Sequence, residues 1–314
     1  MAATVGPGRR GRGEDHGAIR SYIAGVSSEP LLTGTGVWAH ELRYGDPAEI
    51  TDLAAELESL GFSALWVPDV GGDLFASLDQ LLRATSSVVI ATGILNVWMH
   101  TAADTGAWRA GLTDADRQRV LLGLGISHAM LIDGQPGMSW ERPLATMGTY
   151  LDGLDEAGVP AEARCLAALG PKMLELARGR STGAHPYLVT PEHTVVAREA
   201  LGEGPLLAVE QGIVLETDAG TAREIARQAL SMYALLPNYA NNWKRLGFTD
   251  DDITSLSDHL VDALVVWGDV ETIVDRVQAH RDAGADHVCV QLLASPGAPV
   301  DRDAWRRLAP ALVG

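Results

Sequence analysis

The 314-residue sequence has little cysteine: Cys165 and Cys289 are the only two, and both lie inside apolar, strand-like runs. That placement excludes a disulfide framework and reads as buried free thiols in a reducing compartment, so a cytoplasmic location is expected. Positive charge is also scarce. With a formal net charge of −17 there is no broad basic surface to grip a nucleic-acid backbone or an anionic membrane, and any anionic ligand must be held by local dipoles. No apolar run reaches the length of a membrane span. A Walker phosphate loop, CxxC and HExxH metal motifs and a GxSxG elbow are all missing, which removes the common nucleotide-hydrolysing, zinc-dependent and serine-hydrolase chemistries; no metal site is expected. Residues 1–30 are rich in Gly, Arg and Ser, show no apolar periodicity and lack the apolar core of a signal peptide. They are expected to form a disordered tail ahead of one folded unit over 31–314.

The whole chain is 46% hydrophobic, and beyond the first thirty residues it is organised as short apolar runs alternating with amphipathic segments. Strands are expected at Gly34–Ala39, Ala64–Val67, Val88–Leu95, Arg119–Leu124, Arg164–Leu169, His185–Val189, Leu206–Leu215 and His287–Leu293. Between them come helices, among them Pro47–Leu60 with Asp46 as N-cap and Gly61 at its end, Leu74–Ala84, a weaker one over Thr101–Asp116, Pro143–Ala157, one after Pro191, and Val270–Ala283. Eight strands each followed by helix close most simply into an α/β (β/α)8 TIM barrel, with a doubly wound open sheet as the second solution. Between the seventh and eighth strands the chain carries more than one helix, from Ala219 to Asp269. This helical insertion would cover the barrel mouth or mediate oligomer contacts, and a homodimer is expected.

The junction at Gly170 is the sharpest local signal. An apolar run stops there and a helix begins at Pro171, so the free N–H groups of Lys172 and Met173, backed by the helix dipole and the Lys172 charge, suit a phosphate. An ordinary strand-to-helix turn with a surface lysine reads the same way on these residues alone.

Taken together, ALWVPD at the second strand, VVIATGI at the third, RVLLGLGISH at the fourth, AALGPKMLELA at the fifth, HPYLVTPEHT at the sixth and AGADHVCVQLL at the eighth resemble the luciferase-like monooxygenase superfamily. Within it they resemble the branch that uses the deazaflavin coenzyme F420. The resemblance implies a cofactor over the C-terminal strand ends, its phosphate near Leu169, Gly170, Pro171, Lys172 and Met173. Its ring would be backed by a non-proline cis peptide at Gly93-Ile94, with Thr92, Ser127 and His128 beside it. It implies hydride transfer between the ring and a small organic substrate. An FMN-dependent monooxygenase on the same fold, or a non-catalytic flavin-binding barrel, are the alternatives.

Such chemistry needs positioning and one group that moves a proton. Asp69 after the second strand and His128 after the fourth are the candidates, Asp69 also as a cofactor contact. A turn aspartate and a loop histidine are the structural alternatives. His40, Trp98, His100 and His193 are expected as substrate contacts, and Trp38 and Trp66 as ring-pocket walls or core. Arg178 and Arg180 would reach an anionic cofactor tail or lie in solvent.

Overall fold

A computed structural model describes residues 1–2, 32–133 and 140–314. The expected N-terminal tail therefore falls almost wholly outside the described residues. The strands are β1 (Gly34–Trp38), β2 (Ala64–Val67), β3 (Val89–Thr92), β4 (Leu95–Asn96), β5 (Val120–Gly125), β6 (Arg164–Leu166), β7 (Gly183–Ala184), β8 (Leu206–Val214), β9 (Val265–Trp267) and β10 (His287–Leu292). All pair in parallel in the order β10-β1-β2-β3-β5-β6-β7-β8, and β10 pairs again with β8, so the sheet closes on itself. β3 and β4 are two halves of one stave, and β9 is added beside the upper end of β8. The result is a closed eight-stranded parallel barrel.

The helices are α1 (Pro47–Ser59), α2 (Leu74–Ala84), α3 (Ala102–Gly111), α4 (Asp114–Gln118), α5 (Ala129–Ile132), α6 (Pro143–Glu156), α7 (Pro171–Arg180), α8 (Pro191–Leu201), α9 (Ala219–Leu230), α10 (Pro237–Arg245), α11 (Asp250–Ser255), α12 (Asp258–Leu264), α13 (Val270–Asp282) and α14 (Arg302–Leu312). Local chemistry starts and stops them. Asp46 caps α1 by accepting from Ala48 N and Glu49 N, and Asp73 caps α2 by accepting from Ala76 N. Leu74, Leu78, Leu81 and Leu82 form one buried stripe of α2, and burial of each contributes roughly 1.5–3 kcal/mol. None of the described helices is long and apolar enough to cross a membrane.

The two-residue period of the strands sorts side chains between two cores. Leu122 and Leu124 of β5 face the helices, whereas Leu121 faces the barrel axis with Trp66, Ala91, Cys165, Ala208 and Cys289. Small residues around the axis make room for the fully buried Trp66, whose Nε1 donates to His287 Nε2 at 3.1 Å. Gly123 is needed here because a Cβ at that position would lie 2.0 Å from the Thr92 carbonyl oxygen.

Three expectations need correction. The sixth strand is Gly183–Ala184, and residues 185–189 form a loop over the barrel rim. Pro186 has no N–H to give to a ladder, and Leu188 adopts a left-handed φ of 54°. The run Val88–Leu95 is broken at Gly93-Ile94, which is a cis peptide. The segment between Ala219 and Asp269 ends in a strand, since Val265, Val266 and Trp267 pair with Gly212, Ile213 and Val214. These β-branched and aromatic residues find an open edge of β8 above β7.

Candidate functional site

Two adjoining cavities open among the loops at the C-terminal strand ends. One, of about 450 Å³, runs from Ile94, Gly125, Ile126 and Ser127 to Leu169, Gly170, Pro171, Lys172 and Met173. The other, of about 460 Å³, is bounded by Trp38, His40, Asp69, Gly93, Asn96, Met232 and Tyr233. Ile94, Ser127, His128, Ala167, His185, Tyr187 and Tyr239 border both, so the two are halves of one cleft.

The far end of the first half gathers a helix start and two cations. Gly170 caps α7, Pro171 occupies its first turn, and no side chain among the described residues caps it; Met173 N–H, expected to be free, instead donates to the Gly170 carbonyl at 3.1 Å. Lys172 borders the cavity, and so does Arg245 from α10, which sequence reasoning missed. Arg245 Nη2 donates to Asn242 Oδ1 at 3.0 Å and would stand 3.7 Å from a Cβ on Gly170. Only the fold could reveal this cation, because it comes from the insertion 75 positions along the chain. Arg178 and Arg180 sit in the last turn of α7, roughly 12 Å from its start by helical rise. Arg180 is paired there with Asp152 and Asp155.

Gly93 forms the ledge between the halves. A Cβ there would meet Trp38 Nε1 at 2.4 Å, and Trp38 instead donates Nε1–H to the Gly93 carbonyl at 2.9 Å. Ser127 beside it holds a left-handed φ of 55°, a conformation a serine adopts only where surroundings impose it.

His128 borders both halves, packs against Tyr239 with ring centroids 5.6 Å apart, and has a buried Nδ1 without a hydrogen-bond partner among the described residues. Burial lowers its pKa below the usual imidazole value, opposed by a hydrogen bond that the ring donates to Asn238, so the neutral ring is favoured. Asp69 is differently held. Its Oδ1 is 3.2 Å from Arg43 Nη2, while Oδ2 accepts from Asn96 N at 3.1 Å and lies 3.0 Å from His100 Nε2. Both side chains of the Arg43–Asp69 pair are buried. Arg43 also donates to the Gly71 carbonyl at 2.7 Å, tying the loop after β2 to the loop after β1.

The remaining expected contacts divide. His40 stands at the rim of the second half. His100 lies behind Asp69 against Phe75, Trp98 donates to the Ile126 carbonyl from outside the cleft, and Thr92 donates to the Gly123 carbonyl within the barrel. His193 is buried beneath the mouth, 2.9 Å from the Leu169 carbonyl oxygen, where it supports the approach to α7. Trp66 lies in the barrel core below the cleft.

Sequence reasoning also missed a buried layer beneath the mouth. His185 stacks on Trp66 at 4.2 Å, and Tyr187 donates to Gln291 Oε1 at 2.8 Å beside Tyr233 and Tyr239. Glu210 on β8 is fully buried and accepts from Leu188 N, and burial raises its carboxyl pKa to about 8. The signal was present as a charged residue inside the apolar run LLAVEQGIV, which is rarely buried without purpose.

Residues 30–157 match the luciferase-like monooxygenase family model. Over that segment the chain resembles the luciferase-like monooxygenase family. A 5,10-methylenetetrahydromethanopterin reductase of Methanolobus tindarius is 28% identical over 184 residues, which cover 51% of this chain and 56% of that protein. The chain thus aligns with little more than half the length of that relative. Among solved structures, an F420-dependent secondary alcohol dehydrogenase with an F420-acetone adduct superposes with a TM-score of 0.67 at 17% identity, covering 89% of this chain and 99% of that one. The oxygenating constituent of a 3,6-diketocamphane monooxygenase from a Pseudomonas putida plasmid, in complex with FMN, gives 0.63 at 14% identity, covering 90% and 97%. Both structures share the barrel fold of this chain. The three proteins named are enzymes; one of the two structures holds an F420 adduct and the other holds FMN.

Proposed function

We propose that this luciferase-like protein is an F420-dependent oxidoreductase that moves a hydride between the deazaflavin ring and a small, uncharged organic substrate. The observation that carries the reading is the single cleft: a helix start flanked by Lys172 and Arg245 at one end, the Gly93-Ile94 ledge in the middle, and a second, largely apolar half beyond it. A phosphate fits the first end, a flat ring fits over the ledge, and a substrate fits in the second half.

When bound, F420 supplies a ring carbon that accepts or releases a hydride. The chain's own residues then have separable tasks. The α7 N–H groups, Lys172 and Arg245 bind the phosphate. Ile94, Gly125 and Met173 exclude water from one side of the cleft. Neutral His128, reaching both halves, takes or returns the proton that must accompany hydride movement at a substrate oxygen. Asp69, with both oxygens engaged, positions Asn96 and the loop after β2. An FMN-dependent monooxygenase would use the same phosphate end, and the apolar second half serves either chemistry.

The test is fluorescence titration of the purified protein with F420 and with FMN, repeated for Lys172→Glu. Tight F420 binding, weaker FMN binding and a roughly tenfold or greater loss in the variant are expected, from replacing an attractive charge with a repulsive one near a phosphate. Binding of FMN but not F420 moves the protein to the monooxygenase reading, and unchanged affinity in the variant places the phosphate elsewhere.

A further inference from the structure

His185 is 1% exposed and its ring is stacked on Trp66, with centroids 4.2 Å apart and an interplanar angle of 16°. Its Nδ1 lies 2.9 Å from the Ala208 carbonyl oxygen. A carbonyl oxygen only accepts, so Nδ1 carries the proton and the other nitrogen of the neutral ring, Nε2, carries a lone pair. Nε2 is buried and has no hydrogen-bond partner among the described residues. It faces Gly93, where a Cβ would lie 3.3 Å away, and glycine leaves that space open. The nearest donor on that side, Trp38 Nε1, already gives its proton to the Gly93 carbonyl. The hydroxyl of Tyr187, which also lines the cleft, is directed to Gln291.

We propose that His185 Nε2, at the floor shared by the two halves of the cleft, accepts a hydrogen bond from an O–H or N–H group of the molecule bound there. The inference rests on the reading of the cleft as a cofactor and substrate site. An acceptor without a donor at this depth is costly, so a guest that donates is favoured over one that presents only a carbonyl oxygen. His185 thereby becomes a binding residue that selects between partners of equal shape. Burial, which lowers the ring pKa to about 4 against the opposing Ala208 hydrogen bond, keeps Nε2 an acceptor at neutral pH. The donor has two possible sources, an N–H of the cofactor ring or the hydroxyl of an alcohol substrate.

Protein labelled with 15N-histidine separates these sources. His185 is assigned by its absence in His185→Gln, and its Nε2 resonance is followed in the free protein, with saturating F420 or FMN, and then with added cyclohexanol. A bare Nε2 that becomes hydrogen-bonded with the cofactor alone identifies a ring N–H; a change only after cyclohexanol identifies the substrate hydroxyl. No change in either step, or a nitrogen already hydrogen-bonded in the free protein and unaltered on binding, overturns the proposal. In parallel, the affinity for whichever ligand moves Nε2 should fall about ten- to hundredfold in His185→Leu. It should be largely recovered in His185→Gln, whose amide oxygen can accept. Equal losses in both variants would show that the ring acts by shape and overturn the assignment. If the unaltered protein binds neither F420 nor FMN in the fluorescence titration, the cofactor reading fails first and this proposal fails with it; binding without a change at Nε2 leaves the cofactor reading standing and removes only His185.

Discussion

Replacing Arg43 with Met strands a buried charge, and the size of the effect follows from what surrounds Asp69. The carboxylate is buried, with one oxygen 3.2 Å from Arg43 Nη2 and the other served by Asn96 N and His100. Methionine keeps the length of the apolar stem but removes the only full positive charge paired with Oδ1 among the described residues, along with the donor to the Gly71 carbonyl. Breaking a buried pair by removing one partner costs about 3–5 kcal/mol, because the other charge remains without compensation. The pair is itself imperfect, since Arg43 Nη1 and Asp69 Oδ1 lack aligned hydrogen bonds. The double variant Arg43→Met/Asp69→Asn should therefore recover about 1–3 kcal/mol of that loss, because the amide oxygen can still accept from Asn96 N. Urea unfolding of the parent, both single variants and the double variant gives the coupling directly, provided the m-values agree. An Arg43→Met cost below about 1 kcal/mol, or a double variant less stable than Arg43→Met alone, would refute the assignment of this pair as a buried clamp on the cleft rim.

Changing His128 to Asn keeps a polar group but removes the imidazole that can carry a proton, and turnover should fall by about two to four powers of ten with little change in cofactor affinity. Full turnover in that variant, measured with whichever cofactor binds, would take the proton-transfer role away from His128. Glu210 gives a pH prediction. Its folded pKa of about 8 lies above the ordinary carboxyl value of 4.5, so the protonated form is the one the fold favours. Its contribution is fully present below pH 4.5 and is lost as pH rises toward 8, the interval in which the unfolded chain ionises and the folded one does not. Glu210→Gln should then match the parent in stability near pH 4.5 and exceed it by a few kcal/mol near pH 8. A stability difference that stays constant between those values in urea unfolding would contradict this.

Much of this molecule is legible in its sequence because local chemistry is. Asp46, Gly61 and Pro171 announce helix ends because capping and backbone preference act within a few residues. The apolar runs at Ala64, Val120 and Leu206 announce strands buried on both faces, and their number and order point to the barrel. The Gly170 turn is readable as an anion site for the same reason: its N–H groups belong to consecutive residues.

What the chain order does not contain is which distant residues meet. Arg245 joins Lys172 only because α10 folds back over the mouth, and Arg43 reaches Asp69 only because β1 and β2 are neighbouring staves. His193, which shares its strand-end position with true mouth residues, is turned beneath the Leu169 carbonyl by packing. His185 and Glu210 look like strand positions in the sequence, yet closure of the barrel sets one against Trp66 and Gly93 and buries the other under the Tyr187 loop. Burial, tautomer and the shifted acidity of these groups are properties of an enclosed volume, and a volume exists only once β10 has paired with β1 and β8.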